Sequence, residues 1–278
     1  MPSREAEPAM VVPAMPPVWL KLEGTARRQA DMEVEAPTLL GRAGEAWKAG
    51  DQEQAEMLCA EAIRVDPAAW EPRYNTALIL EDRGHVEEAI VELKYVCALA
   101  PGEADPLLRL AYLLEGTGRE AEARFWYGRA LDLDASQSTG WLRLGLLEMR
   151  KSRWQEALPC LKKAFEREPS ACYHLGLCQA MLGQLAEAVD TLGRAPQGDP
   201  QVLIALVALL LERGDLESAE QTERKLRAAG SVPAELSYRL ALAWQDRGDE
   251  EMARTHYRRA VLSEPALASG YFAIQSHS

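Results

Sequence analysis

Residues 138–171 read STGWLRLGLLEMRKSRWQEALPCLKKAFEREPSA. Trp141, Leu144, Gly145 and Glu148 fall three or four residues apart, so they share one helix face. Ala157, Leu161 and Ala164 do the same further on, and Pro169 then stops the second helix. The stretch therefore reads as two short amphipathic helices and a tight turn. Gly145 and Ala157 at the facing positions let the two backbones come close. One such hairpin cannot bury its apolar stripe alone, so it requires neighbours of the same kind.

The chain supplies them. The small residue of the second helix recurs as Ala55, Ala89, Ala123, Ala157, Ala188, Ala219 and Ala253, in steps of 34, 34, 34, 31, 31 and 34. The matching first-helix residue, Ala43, Ala77, Ala111, Gly145, Gly176, Val207 and Ala241, keeps the same steps. Turns are marked by Gly50, Gly84, Gly118, Gly183, Gly214 and Gly248, with Ser152 in the fourth place. Glycine suits that place because it enters the left-handed region at little cost. Pro67, Pro101, Pro169, Pro200 and Pro265 punctuate the unit ends, with Ala135 and Ser231 at the other two. Four markers in register describe seven repeats.

This pattern resembles the tetratricopeptide repeat family, whose signature is a large residue, Leu-Gly and an aromatic in the first helix, then Ala, an aromatic, Ala and a closing Pro. The fourth unit matches through Trp141, Leu144-Gly145, Ala157, Ala164 and Pro169, and the seventh through Leu240-Ala241, Trp244, Ala253, Tyr257, Ala260 and Pro265. The sixth departs most, with Val207, Glu223 and Leu226 at family positions. The resemblance implies an all-α fold, a right-handed superhelical solenoid of about seven helix-turn-helix repeats over residues 36–265. It leaves a Pro-rich leader over 1–35, extended or disordered, and a short capping segment over 266–278. Pro169 and Pro200 each lie seven residues before the first-helix marker, against ten for Pro67. The shorter period predicts Asp199 as an N-cap with Pro200 at the first helical position. It also predicts shorter first helices in units five and six, with a notch or change of curvature there.

The formal charge of −12 and the lack of a basic stripe argue against nucleic acid and anionic membranes. No apolar run approaches the roughly 18 residues of a membrane span. The N-terminus lacks a basic region followed by an apolar core, which argues against secretion and for the cytoplasm. Five cysteines, Cys59, Cys97, Cys160, Cys172 and Cys178, have no zinc-ribbon spacing and read as reduced, mostly buried thiols. His174 and Cys178 share a helix face with Cys172 nearby, but at ordinary packing positions. No nucleotide-binding, nucleophile-elbow or metalloprotease motif occurs, so the reading is a non-enzyme with no cofactor and no metal.

In the resembled family the ligand lies on the concave face built by first helices. Carried over, the lining positions are Leu40 and Trp47; Tyr74, Leu78, Glu81 and Asp82; Asp105, Leu108, Tyr112 and Glu115; and Leu142, Leu146, Met149 and Arg150 in units one to four. Units five to seven give Tyr173, Leu177 and Met181; Ile204, Leu211 and Glu212; and Tyr238, Leu242, Gln245 and Asp246. The Lys and Asn of a carboxylate clamp are missing, and Glu81, Asp82 and Glu115 would repel a terminal carboxylate. Apolar anchors with an acidic rim suit an apolar or amphipathic, partly basic peptide of a partner protein. The apolar strip Met10–Leu20 is either a plain leader or a tethered ligand for the groove. Leu267, Tyr271, Phe272 and Ile274 either fray or dock, so self-association through either end stays open. The function expected is a protein-interaction adaptor or scaffold; the alternatives are a secretion or assembly chaperone and a regulatory subunit of an enzyme complex.

Overall fold

A computed structural model describes residues 35–195, 199–230 and 232–267. The leader and residues 268–278, with Tyr271, Phe272 and Ile274, lie outside the described residues, so the tethered-ligand and capping expectations fall there.

Fourteen α-helices in seven hairpins occur among the described residues, and they fall into two compact units, Met1–Leu133 and Asp134–Ser278. The first unit holds α1 (Glu35–Lys48), α2 (Gln52–Val65), α3 (Glu71–Asp82), α4 (Val86–Leu99), α5 (Ala104–Gly116) and α6 (Glu120–Leu133). The second holds α7 (Ser138–Arg150), α8 (Trp154–Arg167), α9 (Cys172–Met181), α10 (Leu185–Gly193), α11 (Pro200–Glu212), α12 (Leu216–Ala229), α13 (Ala234–Asp246) and α14 (Glu250–Ser263). Within each unit the odd-numbered helix packs on its own partner, and the even-numbered helix packs on the next odd one. The all-α repeat solenoid read from the sequence is the fold observed.

The turns have one chemistry. Six glycines carry φ between 76° and 87°, and Ser152 sits at 55°. In each turn an amide reaches back five residues, as in His85 N to Leu80 O at 2.8 Å and Arg153 N to Glu148 O at 2.9 Å. This backbone closure satisfies a helix-end carbonyl and requires the left-handed residue. The repeated small residues fill the contact between paired helices. Ala43, Ala55, Ala77, Ala89, Ala111, Ala123, Ala157, Ala188, Ala219 and Ala241 are all 0% exposed. Gly145 and Gly176 take the closest approach: a Cβ there would lie 2.8 Å from Leu161 Cγ and 2.7 Å from Leu192 Cγ respectively.

The shortened repeats behave differently from the expectation in one place. In unit five α9 has 10 residues, preceded by a 3-10 turn at Pro169–Ala171, so its first helix is short as predicted. In unit six α11 has 13 residues, the same as α5, α7 and α13. The missing residues come instead from α10, which has 9 where the other second helices have 14. Gly193 and, in the sequence, Pro196 account for that early stop. Asp199 caps α11 as predicted, accepting from Gln201 N at 2.9 Å, with Pro200 leading the helix.

Candidate functional site

The first helices carry the site residues at four register positions, three before the small marker and one, four and five after it, with Asp105 alone standing six before. At the earliest position Leu40, Tyr74, Leu108 and Leu142 are buried, whereas Tyr173, Ile204 and Tyr238 are half-buried. One residue after the marker, Leu78 is buried, Tyr112, Leu146 and Leu177 are half-buried, and Leu242 is exposed. Leu40, Tyr74, Leu78, Leu108 and Leu142 therefore serve packing and offer a partner little surface. Tyr74 stands edge-on to Trp70 at 5.9 Å, and burial pushes its phenol well above the ordinary range.

The acidic positions of the first unit are engaged inside the protein. Glu81 Oε2 accepts from Arg109 Nε at 2.7 Å, with both side chains mostly covered. Burial raises the Glu81 pKa, and the pull of Arg109 only partly offsets it. The Arg109 guanidinium also lies over the Tyr112 ring, 5.7 Å from its centre. Glu115 turns toward its own hairpin and accepts from Tyr127 Oη at 2.9 Å. Asp82 is exposed and accepts from Gln52 at 3.4 Å, Asp105 is half-buried, and Trp47 packs against the first hairpin.

In the second unit the same face is more open. Leu146 and Met149 flank the α7–α8 core from its edge, and Arg150 is exposed. Tyr173 packs beside Cys172 and Leu192, Leu177 is half-buried, and Met181 is 60% exposed. Ile204 and Leu211 edge the α11–α12 core, and Tyr238 stands edge-on to Tyr257 at 5.5 Å. Glu212, Gln245 and Asp246 are exposed.

The sequence reading missed two side chains that organise these faces. Arg109 ties α5 to α3, and Tyr127 ties α6 to α5 through Glu115. Tyr257 repeats the second bond, donating to Gln245 Oε1 at 3.1 Å. Both pairs are 12 residues apart in the sequence, between matching repeat positions, a spacing that could have signalled them. A third group lies where α12 meets α14. Glu220, Glu223 and His256 are buried there, with His256 Nε2 2.5 Å from Glu220 Oε2. Arg227 and Arg259 pair with Glu223. Arg259 Nη1 lies 3.4 Å from His256 Nδ1. A guanidinium only donates, so this contact needs an unprotonated ring nitrogen. Burial lowers the His256 pKa, which Glu220 opposes.

All five cysteines are buried. Burial pushes Cys59 and Cys97 up to about 12 and Cys178 to about 11, far from thiolate chemistry at neutral pH. Cys178 Sγ donates to Trp154 O at 3.3 Å. Among the described residues no group of three His, Cys, Asp or Glu could hold a metal ion, and no helix is long and apolar enough to cross a membrane.

Comparison with known proteins follows the same register. Models of the tetratricopeptide repeat match residues 40–104 and 142–202, 104–137, and 200–222 with 234–259. General transcription factor 3C polypeptide 3 of Homo sapiens is 32% identical over 93 residues, which is 34% of this chain and 10% of that protein. A probable UDP-N-acetylglucosamine–peptide N-acetylglucosaminyltransferase, SPINDLY, of Hordeum vulgare is 26% identical over 176 residues, 59% of this chain and 19% of that one. The chain thus spans a tenth to a fifth of these two relatives. Among solved structures, YrrB, described as a repeat protein with an unusual peptide-binding site, is 21% identical with a TM-score of 0.59, over 65% of this chain and 97% of that one. Fold, register and matches together make this chain a member of the tetratricopeptide repeat family, a fold that serves in general as a protein-interaction module.

Proposed function

We propose that the chain is a non-enzymatic adaptor that holds an apolar or amphipathic, partly basic segment of a partner protein against its first helices. The observation that carries this is the row of accessible apolar side chains in the second unit: Leu146 and Met149 on α7, Leu177 and Met181 on α9, and Leu242 on α13. Such side chains can take up the apolar stripe of a helix or extended peptide. The exposed carboxylates of Glu212 and Asp246 favour a segment with Lys or Arg beside that stripe. YrrB, similar in fold, is described as having a peptide-binding site, which agrees with this reading.

The test is fluorescence anisotropy of the full chain with labelled amphipathic peptides whose flanking charges are Lys or Glu. The Lys-flanked peptides should bind more tightly. Leu146→Glu and Leu242→Glu should each weaken them about tenfold, since each buries a charge against an apolar anchor. Equal binding of the two peptide sets, or no effect of either substitution, would refute the proposal.

A further inference from the structure

The second helices of the first three repeats carry an apolar surface outside the peptide-binding reading, and of its apolar members only Val65 is also packed against the core cluster of the first hairpin. Met57, Val91 and Phe125 each stand two residues after the repeated alanine, 34 residues apart, and are between 53 and 59% exposed. Eight residues further along the same helices stand Val65, Leu99 and Leu133; Val65 is half-buried, and the other two are 42 and 45% exposed. Midway between these rows lie Glu61, Tyr95 and Arg129. Steps of four residues keep each column on one helix face. The surface is thus a grid of three helices by three rows, with α4 in the centre. Lys94 on α4 and Glu122 on α6 form an exposed ion pair between the two columns, 3.6 Å apart.

The grid is confined to this unit. The row of Met57, Val91 and Phe125 continues in later repeats as Pro159, Asp190, Gln221 and Thr255, and the middle row as Lys163, Arg194, Lys225 and Arg259. Apart from Pro159, those are the polar and charged residues that an outward face ordinarily carries. The helix pattern needs no apolar residue at these places, so packing does not explain the first three.

The charges in the middle row identify the occupant. Glu61 and Arg129 are exposed and form no ion pair among the described residues, and they flank Tyr95 on opposite sides. The Tyr95 ring is held by the Arg73 guanidinium 5.4 Å from its centre, and Glu92 fixes Arg73 at 3.1 Å. It is an anchor that loses little freedom on contact. The geometry points to a second copy of this chain, docked face to face about a two-fold axis parallel to α4. That rotation lays α4 on α4 and α2 on α6. Glu61 of each copy then meets Arg129 of the other, Met57 meets Phe125, and Tyr95 meets Tyr95. A two-fold axis across the helices would instead stack Glu61 on Glu61 and Arg129 on Arg129, which like-charge repulsion opposes.

The helices have 14 residues each and are therefore about 21 Å long. Three of them about 10 Å apart offer a face on the order of 600 Å² per copy. A standard interface takes about 800 Å² per partner. The dimer is therefore a weak one, in the micromolar range, and it is independent of what the first helices bind.

Sedimentation velocity of the full chain across low to high micromolar concentration tests this. The unmodified chain should form a concentration-dependent dimer. Glu61→Arg and Arg129→Glu should each weaken it about tenfold or more, because both ion pairs of the dimer turn repulsive. An equimolar mixture of those two variants should form a heterodimer, and the double variant should recover the dimer. Both sites are exposed, so helical circular dichroism should be unchanged, and Tyr95→Ser should abolish association. A chain that stays monomeric at high micromolar concentration overturns the inference. So does a dimer indifferent to the single reversals, or a mixture that fails to associate.

Discussion

Gly145→Ala should destabilise the fourth hairpin, although glycine inside a helix is ordinarily the poorer residue. Replacing a helical glycine by alanine gains about 1 kcal/mol where the new methyl meets nothing. At Gly145 it meets Leu161: the added Cβ would stand 2.8 Å from both Cγ and Cδ2, and 3.5 Å from Cys160 Cβ. Ordinary carbon contacts lie at about 3.5–4.0 Å, so the overlap is about 0.7–1.2 Å. Leu161 is fully buried in one core cluster with Leu142, Ala157, Ala164, Leu175 and Cys178. Overpacking of this kind costs about 1–3 kcal/mol. The balance is a net loss of about 1 kcal/mol.

The assay is urea unfolding followed by tryptophan fluorescence, with hydrogen exchange of α7 and α8 amides to localise the change. Gly128→Ala is the internal control. Gly128 lies inside α6 with nothing within 4 Å of the added Cβ, so that substitution should gain about 0.5–1 kcal/mol. Leu161→Ala, which removes both Cγ and Cδ2, should make the added methyl of Gly145→Ala neutral or favourable when the two variants in that background are compared. A Gly145→Ala chain stabilised as much as Gly128→Ala would refute the reasoning, because the close approach of α7 and α8 would then not exist.

Three further outcomes are expected. Ser152→Gly should stabilise the chain by about 0.5–1 kcal/mol, since Ser152 holds φ at 55° where the other six turns have glycine; an unchanged urea midpoint would count against it. Tyr127→Phe should cost about 0.5–1.5 kcal/mol by leaving Glu115 without its hydroxyl donor, measured by the same midpoint. Burial holds His256 below its ordinary value of 6.5, so the unfolded chain takes up the proton first, and stability should fall as pH drops below about 6.5. That slope in thermal unfolding should flatten in His256→Gln, and an identical slope in both proteins would be the contrary result.

The hairpins were legible because their signals are local. A glycine that must enter the left-handed region, or a small residue at a helix contact, is fixed by backbone and packing demands that recur every repeat. Ser152 shows how far this goes: its place in the register predicted a left-handed residue against its side-chain type, and it is one. The miss in unit six has the same origin. Spacing between markers counts residues without saying which helix loses them, and Gly193 with Pro196 shortened α10 while Asp199 and Pro200 gave α11 a full start.

The site was less legible, because register assigns a residue to a face without saying whether its neighbours cover it. Glu81 and Glu115 occupy positions from which a carboxylate could meet a ligand. Arg109 and Tyr127, each contributed by another helix, engage them inside the protein instead. Leu40, Tyr74, Leu108 and Leu142 stand at the same register as Tyr173, Ile204 and Tyr238, yet the first four are buried and the last three are not. A repeat therefore fixes where side chains stand, and the differences between copies decide which of them a partner can reach. The same comparison, applied to the second helices, sets Met57, Val91 and Phe125 apart from Pro159, Asp190, Gln221 and Thr255. In a chain whose units share one backbone, departures from the shared pattern are where binding specificity is written.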